Sequence, residues 1–91
     1  MLEKQVQKKI LLYLKAIGAC ARKIPQNMYS AGTADILACY KGRALAIEVK
    51  RSSGGVVSKI QEQFLTEWAA AGGIAFVACS VDDVIEGLKG V

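Results

Sequence analysis

Three acidic residues, Glu3, Asp35 and Glu48, stand in a half of the chain that is otherwise basic. A single turn brings two of them together. Lys41-Gly42 joins two apolar, strand-forming stretches, Asp35 to Tyr40 and Ala44 to Val49, as a hairpin. Pairing Tyr40 with Arg43 and counting outward sets Asp35 opposite Glu48, with Cβ atoms about 4.5–5.5 Å apart. Like charges at that spacing destabilise a sheet unless something neutralises them, and a divalent cation does so. Lys50, two residues beyond Glu48, projects from the same face. The opposite face of that strand carries Leu45, Ile47 and Val49, which are expected in the core. Oxygen ligands so spaced suit Mg²⁺ or Mn²⁺, ions that retain waters and bridge to phosphates. Such an ion lowers the pKa of bound water, while the Lys50 ammonium can orient a nucleophile or neutralise developing charge. The plainer alternative is a salt-bridged hairpin in which Lys50 simply neutralises Glu48, a contact worth about 0–1 kcal/mol when exposed.

The elements that must hold these groups follow from the pattern of apolar residues. Leu2 to Ile17 reads as an amphipathic helix with Val6, Ile10 and Leu14 on one face, stopped by Gly18. Ala19 to Ile24 is a short strand ended by Pro25, and a polar loop runs from Gln26 to about Ala34. After the hairpin, Arg51 to Gly55 is flexible by composition. Ser58, with Gln61 three residues on, has the spacing of a capping box and opens a helix that reaches Gly72-Gly73. Within it Phe64, Leu65 and Trp68 are at core spacing, and Gln63 is expected to face solvent. Ile74 to Cys79 is an apolar strand, and Ser80 with Asp83 caps a last short helix carrying Val84, Ile85 and Leu88. The expected order is α-β-β-β-α-β-α: an α/β domain with a mixed sheet flanked by helices.

With 91 residues the chain has room for one domain, residues 1–91, and for only a modest core. Its 53% apolar content exceeds what so small a core absorbs, which suggests a subunit interface. Residues 1–51 hold ten basic and three acidic residues, a net +7, while residues 52–91 carry −3. That asymmetry suggests an oriented face for a polyanion, the alternative being lysines that only solvate the first helix. The absence of histidine excludes His-dependent triads and His-ligated zinc. Cys20, Cys39 and Cys79 lack C-x-x-C spacing and sit among apolar residues, so each is expected to be a buried free thiol in a reducing cytoplasm. No signal peptide, membrane span, zinc, dinucleotide or P-loop pattern is present, and no organic cofactor is expected.

Gly32-Thr33-Ala34-Asp35-Ile36-Leu37, followed by Ala46-Ile47-Glu48-Val49-Lys50-Arg51, resembles the bipartite motif of the PD-(D/E)XK nuclease superfamily. More narrowly, the chain is similar to the small stand-alone VRR-NUC (virus-type replication-repair nuclease) family. Leu2-Glu3-Lys4 with Gln7, Ser58 and Gln61 before Phe64-Leu65, the run Ala71 to Ala78, and Asp82-Asp83 after a serine extend the likeness over nearly the whole chain. Ala34 replaces the proline of the superfamily's name, a loop-shaping residue and not a ligand. The resemblance implies a restriction-endonuclease-like fold and a structure-selective DNA endonuclease dependent on Mg²⁺ or Mn²⁺. Branched DNA such as Holliday junctions is the implied substrate, and the setting is that of a phage or bacterial cytoplasm. It implies that Asp35 and Glu48 bind the metal with the Val49 carbonyl, and that Lys50 is the catalytic lysine. Glu3 would complete the site or position a water, and Gln61 would stand beside it. Arg22, Lys23, Asn27, Lys41, Arg43 and Arg51 are the candidates for contact with the nucleic acid. The surplus of apolar residues points to a homodimer. A non-catalytic nucleic-acid-binding module with the same fold, or an interaction domain with incidental charges, is the alternative to an enzyme.

Overall fold

The apolar periods resolve into seven elements: α1 (Glu3–Ala16), β1 (Cys20–Lys23), β2 (Ile36–Tyr40), β3 (Arg43–Val49), α2 (Lys59–Ala70), β4 (Ile74–Ala78) and α3 (Val81–Gly87). The order is the expected α-β-β-β-α-β-α. They are seen in a computed structural model that describes residues 2–26, 32–52 and 55–91. The four strands form one sheet in the order β1-β2-β3-β4. β1 to β3 run as an antiparallel meander, and β4 joins β3 in parallel after the α2 crossover, which makes the sheet mixed.

The hairpin between β2 and β3 forms as its turn residues dictate. Lys41 and Gly42 have φ of 51° and 77°, so both central residues are left-handed, as the tight two-residue turn matching strand twist requires. Tyr40 then pairs with Arg43 and Ile36 with Ile47, which is the register counted outward from the turn. Asp35 lies one residue before β2.

Strand alternation sends Leu45, Ile47 and Val49 to one face of the sheet. There they meet Val6, Ile10 and Leu14 of α1, Val84 of α3 and its C-cap residue Leu88 in the principal core. Helix α2 covers the opposite face, over β3 and β4. None of its residues is buried. Phe64, Leu65 and Trp68 are half-buried, which corrects the expectation that they belong to the core. The cause is the sheet's size: one 12-residue helix crosses the small-residue surface of Ala46 and Ala75 and leaves the β1–β2 side open. The same opening corrects the cysteine reading. Cys20 and Cys39 are exposed and Cys79 is half-buried.

Trp68 anchors the far end of α2. Its indole Nε1 donates to the Ala44 carbonyl at 3.1 Å, and its ring packs on Phe64 at 5.5 Å. Gly73 makes room for that contact: a Cβ there would stand 2.4 Å from Trp68 Nε1 and 3.0 Å from the Ala44 oxygen. Gly73→Ala is therefore expected to expel the indole, red-shift the fluorescence of the chain's one tryptophan, and cost on the order of 1–3 kcal/mol in urea unfolding.

Candidate active site

Three segments meet at one end of the sheet. Asp35 arrives at the entry to β2, Glu48 and Val49 close β3 with Lys50 just beyond, and Gln61 lies in the first turn of α2. The Val49 amide donates to Asp35 Oδ2 at 2.8 Å, which locks the aspartate against the β3 backbone although it stands outside the strand. The two carboxylates are neighbours as the register requires, and both are buried: Asp35 is 7% exposed and Glu48 0%. Lys50 Nζ is 3.2 Å from Glu48 Oε2, and its own side chain is 17% exposed. Beside it, Gly55 comes so close that a Cβ would fall 2.9 Å from the Lys50 Cβ. That packing was not legible in the sequence, where Gly55 reads only as a flexible position.

Gln61 does two jobs with one amide. Its Oε1 accepts from the Ser58 amide at 3.1 Å, and its backbone N–H donates to Ser58 Oγ at 3.2 Å, completing the capping box. Its Nε2 donates to Glu48 Oε2 at 2.5 Å. The capping contact and the contact with Glu48 are thus made together, by the two ends of one side-chain amide.

Glu48 is held far from its ordinary acidity. Burial first, and then the negative charge of Asp35, push its carboxyl from 4.5 up to about 7, against the opposing pull of Lys50. Both of its partners, Lys50 and Gln61, engage Oε2. Its Oε1 is buried with no hydrogen-bond partner. A buried carboxylate oxygen without a donor is costly, and it fits a cation placed between the two acids. Among the described residues no group of three or more His, Cys, Asp or Glu side chains gathers. The side-chain donors present are two carboxylates, oxygen groups that suit a hard ion such as Mg²⁺ or Mn²⁺ and not a structural zinc.

The remaining candidates separate. Glu3 is half-buried in the first turn of α1, where a carboxylate favours the helix dipole, and it makes no three-carboxylate cluster with Asp35 and Glu48 among the described residues. Lys41 and Arg43 lie at the turn end of the hairpin, Arg43 about 17 Å along the strand from Glu48 at about 3.3 Å per residue. Lys41 Nζ reaches the Val91 carbonyl at 3.5 Å and Arg43 the Gly72 carbonyl at 3.3 Å, so both fasten the fold there. Arg22 is exposed, with its guanidinium on the Ala21 carbonyl at 2.9 Å, and Lys23 and Arg51 are exposed too. Asn27 lies outside the described residues. One basic group escaped the sequence reading of sites: Lys4, Lys8 and Lys15 of α1 line a groove with Lys23 of β1, and Gln7 stands at its floor. Lys4 and Lys8 are visible as a helical i, i+4 pair, but the arrival of Lys23 depends on how β1 lies against the helix.

Between about pH 4.5 and 7 the unfolded chain releases the Glu48 proton while the folded one retains it. Stability without divalent ions is therefore expected to fall as pH rises through that window. Urea titrations should show the fall, show it shrink with added Mg²⁺ or Mn²⁺, and show it vanish in Glu48→Gln.

No protein-family model and no curated protein matches the sequence. Solved structures do match. A protein described as a VRR_NUC domain superposes with a TM-score of 0.79 at 24% identity, over 97% of this chain and 95% of its own. A second VRR_NUC domain protein gives 0.75 at 20%, over 98% and 86%. Hjc, a Holliday junction resolvase from the archaeal hyperthermophile Archaeoglobus fulgidus, gives 0.63 at 26%, over 82% and 65%. The likeness read from the ordered motifs thus holds for the whole domain: this chain has the VRR-NUC fold, the restriction-endonuclease-like arrangement it shares with a Holliday junction resolvase.

Proposed function

We propose that this protein is a VRR-NUC-family nuclease that hydrolyses phosphodiester bonds in branched DNA, with Mg²⁺ or Mn²⁺ as cofactor. The observation that carries the reading is the buried Asp35–Glu48 pair beside Lys50, with one glutamate oxygen left without a donor. A module that only binds DNA has no need for two buried carboxylates that repel each other. Asp35, Glu48 and the Val49 carbonyl would hold the ion, which when bound supplies positive charge to the phosphate and acidifies a coordinated water. Lys50, fixed by Glu48 and packed against Gly55, would orient the nucleophile or neutralise charge that develops on the phosphate oxygens. Gln61 acts through Glu48, steadying the oxygen that Lys50 also touches. It is a positioning residue. A four-way junction is the favoured substrate because the similar resolvase is described as acting on one.

The DNA path in this reading runs past Arg22, Lys23 and Arg51 and along the groove of Lys4, Lys8 and Lys15. Among the described residues the only ion pairs are Lys50 with Glu48 and Lys89 with Glu86, so no acidic side chain pairs with these groove lysines. Phosphates would offset the mutual repulsion of Lys4 and Lys8. We also place the protein in the cytoplasm as a homodimer. The dimer would cover apolar surface that one chain leaves open, including Val56, 77% exposed, and Ile60 at 63%. In sedimentation equilibrium the particle should weigh twice the chain's 9.7 kDa.

Cleavage of duplex, flap and four-way-junction DNA in Mg²⁺, Mn²⁺ or EDTA tests the reading. Cutting should require the ion and favour the junction. Glu48→Ala and Lys50→Ala should each lower the rate by about 10²–10³-fold or more while DNA binding survives. Undiminished cutting by both variants would overturn the assignment, and binding without any cutting would leave a DNA-binding module. Replacing Lys4, Lys8 and Lys15 together by Ala should reduce the slope of log affinity against log salt by about 2–3, with little change in rate at saturating DNA.

A further inference from the structure

Cys20 and Cys39 are direct partners across β1 and β2, and both are exposed. Their geometry follows from the ladder. In the same register Ile24 stands opposite Asp35, and its amide donates to the Asp35 carbonyl at 2.8 Å. That rung is hydrogen-bonded, and rungs alternate in an antiparallel pair. Arg22 with Leu37 and Cys20 with Cys39 are therefore hydrogen-bonded rungs as well. Opposed residues in such a rung have Cα atoms about 5.5 Å apart, inside the range that a disulfide bridges. Their Cβ atoms must approach by roughly 1 Å to reach bonding distance, and the strain this stores makes a disulfide easier to reduce. Cys20 is the first residue of the edge strand, where the backbone can yield. The third cysteine, Cys79, stands just beyond β4 with its Sγ 3.9 Å from the Arg51 carbonyl oxygen and is not in register with either.

We propose that Cys20 and Cys39 form a reversible cross-strand disulfide, a redox modification site on the open half of the sheet. In a reducing medium the strained bond stays open and both thiols are free. With hydrogen peroxide as oxidant, one thiolate takes an oxygen to become a sulfenic acid and one water is released. The second thiolate then displaces that oxygen as another water, and the S–S bond forms. Two thiols are oxidised and one peroxide is reduced. Closure staples the edge strand to β2 in the register that, four rungs on, ends at the Asp35 backbone, without touching Glu48, Lys50 or Gln61.

The test uses the full chain, native and in urea, treated with hydrogen peroxide and titrated for free thiols. The native protein should fall from three thiols to one, lose about 2 Da, and give a proteolytic fragment linking residues 20 and 39. Its melting temperature should rise by several degrees, and dithiothreitol should reverse every change. The same bond should form in Cys79→Ser and be lost in Cys20→Ser. Three surviving thiols, disulfides between chains only, or bonds to Cys79 in the native protein would each overturn the proposal. The unfolded chain should give a mixture of pairings, and the same mixture from the native protein would also overturn it.

Discussion

The structure turns on the burial of two like charges in a sheet of only four strands. Asp35 and Glu48 sit side by side beneath the protein surface, where burial and the charge of Asp35 raise the cost of ionising Glu48. Nearby groups answer that cost. The Val49 amide is diverted to Asp35, and the Lys50 ammonium and Gln61 amide converge on one oxygen of Glu48. The other oxygen remains without a donor, so compensation is incomplete by one ligand. An apolar pair at these positions would give a simpler sheet end. In the proposed function the two acids are the seat of a cation, with folding energy spent to keep the donors in place.

The seat explains where the rest of the chain is rigid. Burial on both faces of β3 is what removes Glu48 from water, so α2 must cross the sheet on the site's side. It is held there at both ends: by the Ser58–Gln61 box with the bond from Gln61 to Glu48, and by the Trp68 indole on the Ala44 carbonyl above Gly73. The helix itself buries no residue fully. Its position depends on these polar anchors more than on an apolar seam, unlike that of α1, whose Val6, Ile10 and Leu14 are all in the core.

Much of this could be read from residue order because it is local. The two left-handed residues Lys41-Gly42 set the hairpin register, and the register alone brings Asp35 to Glu48. Helix α1 was legible from one apolar face, and the first turn of α2 from Ser58 and Gln61. What could not be read depends on which surface covers which. Cys20 and Cys39 lie in apolar stretches, yet the part of the sheet face they occupy, over β1 and β2, is beyond the reach of α2. Charge alone does not show that Arg43 and Lys41 are carried by the hairpin to the end opposite the acids, where they bond the Gly72 and Val91 carbonyls. Glu3 is a site candidate by its place in the ordered motifs, and in the structure it lies in the first turn of α1, a helix packed on the core face of the sheet.

Economy of size links these points. A domain of 91 residues cannot bury both faces of its sheet along its full width, so it must choose which half to cover. Covering β3 and β4 desolvates Glu48 and makes the site, and leaving β1 and the outer part of β2 open exposes the cysteine rung and Arg22. The basic groove between α1 and β1 lies on the other side of that same edge strand. Strand β1 is thus the element through which the uncovered part of the molecule meets its surroundings, with lysines to one side and thiols to the other. Its ladder to β2 ends at the Asp35 carbonyl, so four successive rungs connect the start of this strand to the backbone of one of the two buried acids.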